Sequence, residues 1–188
     1  MATTTKKRTS RASTRATSSR STAKRTTSSS KAGSSVPDMS STDAKKTTEI
    51  LQDRLVALLD LQLTLKHIHW NVTGPNFIAI HEMLDPQVLA VRAMSDAIAE
   101  RIATCGGTPQ GTPGAIVKGR SWDDYAIGRD TTDRHLDELD RVYQGVIGDH
   151  REAIEALGDL DPVSEDLMTG QTGELELFGW FVRSHLGR

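Results

Sequence analysis

Leu51, Leu55, Leu58, Gln62, Leu65 and His69 recur at spacings of four, three, four, three and four, which is the trace of one continuous helical face. A stripe this long needs apolar partners, because a lone amphipathic helix in water has nothing to bury it against. Ser41-Thr42-Asp43 supplies a start, and Thr73-Gly74-Pro75-Asn76 supplies turn chemistry that ends the helix near Asn71. A second helix is expected from about Phe77 to Cys105, where Pro86 is tolerable only near the first turns and threatens a kink after Asp85. Gly106-Gly107 and Pro109 to Gly114 then read as a long connection, and Ser121-Trp122-Asp123-Asp124-Tyr125 has the capping residue and length of a short helix. Leu136, Leu139, Val142, Val146 and Ile154 mark a third long helix. Leu167, Leu175, Phe178, Phe181 and Val182, preceded by Pro162 and Ser164, mark a fourth. No alternating strand pattern appears, so the expected class is all-α, a four-helix bundle with a short helix in its long middle crossover; periodicity leaves other four-helix topologies open.

Charge divides the chain differently. There are 23 Lys+Arg and 25 Asp+Glu, yet residues 1–36 hold nine basic residues and no acidic one. The nine are Lys6, Lys7, Arg8, Arg11, Arg15, Arg20, Lys24, Arg25 and Lys31. That leaves 14 basic against 25 acidic in the rest, a +9 arm on a −11 body. Ser, Thr, Ala and Gly fill the arm, which has no large apolar side chain before Val36 except Met1 and cannot offset its chain entropy by burial. We therefore expect a disordered arm over residues 1–40 and a folded body over 41–188. No apolar run follows the basic start and no stretch approaches ~18 consecutive apolar residues, so a soluble cytoplasmic protein is expected, with no membrane partner. A single cysteine, Cys105, excludes an intrachain disulfide framework.

On the second helix, taking ~100° per residue, His81, Asp85, Asp96 and Glu100 fall near 0°, 40°, 60° and 100°, while Leu84, Val88, Val91, Ile98 and Ile102 gather at 260–340°. A charged second face is ordinarily solvated surface. Here His81 pairs with Asp85 and Asp96 with Glu100 at i,i+4, and Leu89 and Ala93 share the face. Metal ligands must converge, yet His81 and Asp96 are about 22 Å apart along a helix rising ~1.5 Å per residue. Two antiparallel copies related by a two-fold axis near residues 90–91 bring His81 and Asp85 of one opposite Asp96 and Glu100 of the other, with His69 completing the first half. Such nitrogen and oxygen donors suit iron, manganese or zinc better than copper(I). None of the six histidines has a glutamate three positions earlier, so the Glu-x-x-His pairs of a bundle-core di-iron site are missing. His67 lies about 200° from the core stripe and is expected to face solvent or a neighbour.

His69-Trp70-Asn71, Gly74-Pro75-Asn76-Phe77, His81-Glu82-Met83-Leu84-Asp85 and Asp96 with Ala99-Glu100-Arg101 together resemble the signature of the Dps family, ferritin-like proteins. The gaps of 12, 4, 11 and 4 residues between His69, His81, Asp85, Asp96 and Glu100 match that family's ferroxidase pattern. The resemblance runs over roughly residues 45–186 and includes Phe178-Gly179-Trp180-Phe181-Val182. It implies a ferritin-like bundle assembling into a hollow dodecameric shell, ferrous iron bound between two-fold-related subunits, oxidation preferably by hydrogen peroxide, ferric mineral storage, and protection of DNA. By the same resemblance His69, His81 and Asp85 come from one subunit, Asp96 and Glu100 from its partner, and Trp70 sits beside the site. Three-fold pores in this family are commonly acidic, and Asp149 is the candidate here.

A +9 arm repeated on every subunit is suited to sequence-independent, salt-sensitive DNA binding, and without an aromatic residue it offers no base stacking. This makes a nucleoid-associated location the expectation. The rival is a structural nucleoid protein that compacts DNA with little iron turnover.

Overall fold

In the computed structural model, which describes residues 34–188, α1 (Ser41–Asn71) starts where the Ser40 hydroxyl accepts from the Asp43 amide and donates to the Asp43 carboxylate. Just before it, the Ser35 amide and hydroxyl both donate to the Thr104 carbonyl, so this end of the chain sits against the end of the second long helix. Of the expected arm, only residues 34–40 fall within the described residues; all nine arm cations lie outside them.

α1 ends at a five-residue connection in which Gly74 adopts a φ of +111°, a conformation that side chains resist. α2 (Phe77–Thr104) follows and runs through Pro86 without a break. Pro86 and Glu82 are both exposed, so the Glu82 carbonyl deprived of its amide partner can turn to water. After α2 the chain turns tightly at Gly107, where a Cβ would lie 2.8 Å from the Ile102 side chain and 2.9 Å from that of Thr48.

The crossover holds its short helix earlier than expected. α3 is Pro113–Gly119, started by the Thr112 cap and by Pro113 in the first turn, whereas Ser121–Tyr125 is irregular. Side chains of this stretch are engaged elsewhere. Arg120 binds both Asp60 and Asp124, and the Trp122 indole donates to Asp60 at 2.9 Å. The Asp124 carboxylate also takes the Tyr125 amide. The buried Asp60 of α1 is thus the post to which the crossover is tied. Further on, a two-residue parallel pairing of β1 (Val72–Thr73) with β2 (Asp130–Thr131) clips the crossover to the end of α1. His67 also faces this segment, not solvent: its Nε2 donates to the Ile127 carbonyl at 2.7 Å and its ring meets Tyr125 edge-on. The Tyr125 hydroxyl in turn shares a hydrogen bond of 2.9 Å with Nδ1 of the buried His135, which burial keeps below its ordinary pKa.

α4 (Thr132–Leu157) and α5 (Pro162–His185) complete a ferritin-like bundle in which α1 packs on α2 and α4, and α5 on α4 and α2. Leu51, Leu58, Leu65, Leu84, Ile98, Leu139 and Leu175 are fully buried at its centre. Val142, Ile154, Leu167 and Phe181 are only half-buried; Val182 is fully buried as expected, and Tyr143, Ile147 and Met168 fill out the core stripes. The Tyr143 hydroxyl donates to Gln87 at 2.7 Å across the interior. Where α2 ends, Arg101 reaches Asp161 and Ser164 at the start of α5. Burial alone would raise the Asp161 carboxyl, but hydrogen bonds from Ser164 and Arg101 carry it below the usual range.

His150 is fully buried on α4, donating from Nδ1 to the Val146 carbonyl at 2.9 Å; burial and the nearby Arg54 charge hold its pKa at about 4, from an ordinary 6.5. The folded imidazole is therefore neutral where the unfolded one is charged. Above pH 6.5 this has no effect; as pH falls from 6.5 to 4, stability is lost by on the order of 3 kcal/mol. Thermal melts across that window at fixed protein concentration should show a shallower decline for His150→Gln than for the parent chain.

Candidate metal centre

The short link between α1 and α2 sets the last turn of one helix beside the first turns of the other. His69 and His81 meet there by a reciprocal bond: His69 Nδ1 donates to the His81 carbonyl and His81 Nδ1 donates to the His69 carbonyl, each at 3.0 Å. A carbonyl can only accept, so both imidazoles carry their proton on Nδ1 and keep the Nε2 lone pair for a ligand. Their rings stack at 3.6 Å with 22° between planes, and Phe77 packs 5.0 Å from the His81 ring.

Asp85, one turn beyond His81, brings its carboxylate within 3.4 Å of His69 Nδ1. The Lys66 ammonium is 3.0 Å away and, with the nearby imidazoles, holds this exposed carboxyl below the ordinary range although desolvation opposes the shift. Lys66 also lies 5.7 Å over the Trp70 ring, which is 70 % exposed. Three of the expected ligands are thus together, with Trp70 beside them. Sequence reasoning missed Lys66 and Phe77; the signal available was helical spacing, since Lys66 precedes His69 by three residues and Phe77 precedes His81 by four.

Asp96 and Glu100 do not join them. Both are exposed farther along α2, on the face that also exposes Arg92, Ala93 and Leu89, the last at 67 %. An open groove of about 630 Å³ runs beside this face, with Leu55, Leu59 and Gln62 among its walls and Asp96 at its edge. Among the described residues, no three His, Cys, Asp or Glu side chains of one chain are placed to hold a metal ion. His81 with Asp85 and Asp96 with Glu100 stand toward opposite ends of α2. The pairs His81/Glu100 and Asp85/Asp96 share one midpoint, between Ala90 and Val91.

Asp149 stands apart on α4, ion-paired with Arg54 at 3.1 Å. It rims a cavity of about 400 Å³ together with Asp60, Asp123 and Glu138.

The ferritin-like domain family matches residues 48–188. Over 151 residues the chain is 58% identical to the DNA protection during starvation protein of Mycolicibacterium smegmatis, covering 80% of this chain and 82% of that one. Its fold matches the tetragonal form of Mycobacterium smegmatis Dps with a TM-score of 0.80, at 58% identity over 80% of this chain and 92% of that one. It matches DpsA14 from Streptomyces coelicolor with a TM-score of 0.81, at 54% identity over 83% and 93%.

The reciprocal imidazole lock has a direct spectroscopic signature. Nitrogen-15 NMR of histidine-labelled, metal-free protein above neutral pH should show His69 and His81 as Nδ1-protonated tautomers; Nε2-protonated rings at both positions would refute the lock.

Proposed function

Because the chain belongs to the Dps family of ferritin-like proteins, we propose that it oxidises ferrous iron at sites completed between two copies of itself, stores the ferric product inside a twelve-subunit shell, and binds DNA through its basic arm. The observation that carries this reading is the pre-locked half-site of His69, His81 and Asp85, with the complementary acids Asp96 and Glu100 out of reach on the same helix. An antiparallel copy about the Ala90/Val91 midpoint sets Asp96 and Glu100 of the partner subunit opposite that half, and a two-fold contact makes two such sites at once.

The donors are two imidazole nitrogens and three carboxylates, which fit Fe²⁺ and would also accept manganese or zinc. With ring centroids 3.6 Å apart and only 22° between planes, stacked imidazoles aim their Nε2 lone pairs alongside one another, which favours two neighbouring ions over one shared ion. Each imidazole therefore serves its own ferrous ion. Two ions suit hydrogen peroxide as co-substrate: each Fe²⁺ gives up one electron, and the peroxide takes both electrons and two protons to become two waters, with no one-electron oxygen radical set free. Asp85, with the partner's Asp96 and Glu100, stabilises the harder Fe³⁺ before it moves to the mineral. Iron would reach the interior by way of acids such as Asp149.

For DNA, the support is charge. An arm carrying nine cations and no acid, repeated over a shell, releases counterions wherever it meets phosphate and binds without regard to sequence. Cytoplasmic, nucleoid-associated action follows from that chemistry. Among the described residues no helix is long and apolar enough to cross a membrane.

Two experiments separate the roles. Anaerobic Fe²⁺ followed by peroxide should give rapid ferric absorbance in a large soluble particle for the parent chain, and a rate near that of protein-free buffer for the double variant Asp96→Ala, Glu100→Ala; an unchanged rate would remove these acids from the site. Deleting residues 1–36 should abolish DNA retardation at low salt while iron oxidation persists. DNA compaction by the intact chain without any iron turnover would instead favour the structural nucleoid role.

A further inference from the structure

We propose that Arg92 is a stand-in cation of the two-copy metal centre: it occupies the space between its own Asp96 and Asp85 of the partner subunit until metal displaces it, and so limits how tightly the centre binds metal. This rests on the two-copy reading above.

Arg92 falls near 20° on the helical wheel of α2, inside the 0–100° sector that holds His81, Asp85, Asp96 and Glu100. It is exposed and lines the same groove as Asp96, Leu89 and Gln62. Among the described residues it forms no ion pair and no side-chain hydrogen bond. Asp96 is four residues on, but a basic residue ahead of an acid is the weaker order for an i,i+4 pair. Within one chain, then, Arg92 has little to hold it.

The second copy changes that. The midpoint between Ala90 and Val91 puts Arg92 beside the partner's Leu89, and it puts Asp96 and the partner's Asp85 at one height, about 6 Å further along the axis. An arginine side chain spans that distance to both carboxylates, and its planar fork presents donors to two acceptors together.

The visible half of the centre already uses this device. Lys66 Nζ sits 3.0 Å from Asp85 Oδ1, on an acid assigned to the metal. Without cations, Asp85 and the partner's Asp96 and Glu100 would bring three negative charges into one contact, a repulsive and poorly solvated cluster. Lys66 and the partner's Arg92 reduce the net charge to −1. The copies can then pair before any metal arrives, and the cost falls on metal binding, because an incoming divalent ion must push aside a positive charge one helical turn away. Losing that charge should tighten binding on the order of tenfold, given the moderate dielectric of such a site and partial screening by salt.

The test is anaerobic titration of the full-length, metal-free chain with Co²⁺, read by its visible ligand-field absorption, alongside sedimentation to establish particle size. Arg92→Met should bind Co²⁺ about tenfold more tightly, with a changed dependence on ionic strength, and Arg92→Lys should return to near the parent affinity. Unchanged or weaker binding by Arg92→Met at the parent particle size overturns the proposal. So does dissociation of both variants to single subunits, which would make Arg92 a brace of the contact. If the parent Co²⁺ spectrum persists in the Asp96→Ala, Glu100→Ala variant, the two-copy centre itself is wrong, an outcome distinct from a failure of Arg92 alone.

Discussion

An α-helix is a rod, and distance along it cannot be negotiated. α2 runs unbroken from Phe77 to Thr104, so His81 and Glu100 are held at opposite ends of a span that no rotamer can bridge. What one chain displays is a histidine-rich end and an acidic end on one face, with a bulging Leu89 and an open groove between them. Each of these is awkward in a monomer: unmatched acids, an exposed leucine, a groove without an occupant. All three would be matched by the same surface meeting itself in reverse, the arrangement proposed above.

Hydrogen bonds to the main chain fix the histidine end of the bundle. The His69/His81 lock spends both Nδ1 protons on main-chain carbonyls, so the rings cannot turn without breaking two hydrogen bonds. Behind them the crossover is held to α1 at Gln52 through Gln110, at Asp60 through Arg120 and Trp122, and at His67 through Ile127, and just past the end of α1 by the short β pairing at Val72–Thr73. A surface connection of this length would ordinarily be loose. Here it works as a strap, drawn against the helix that carries His69.

Local pattern carried the sequence reading far. The Leu51-to-His69 stripe, the Gly74-Pro75 turn and the apolar sector of α2 all lie where periodicity places them, because each is set by residues a few positions apart. His69, His81 and Asp85, the early candidates for ligation, come together for the same reason, being separated by one short turn. The reading failed where partners are distant in sequence. Ser121-to-Tyr125 looked like a short helix because nothing local reveals that Trp122 and the preceding Arg120 are bound to Asp60, sixty or more positions away. His67 was expected to face solvent or a neighbour, and its acceptor within the chain, Ile127, is sixty residues off. Lys66 went unnoticed since its carboxylate is across the turn on another helix.

The paired hydrogen bonds from Ser35 to the Thr104 carbonyl anchor the beginning of the described chain at the far end of α2. The helix length that separates His81 from Glu100 therefore also decides where the chain ahead of α1 meets the bundle, at the Thr104 end of α2 and about 20 Å from its Ala90/Val91 midpoint along the axis.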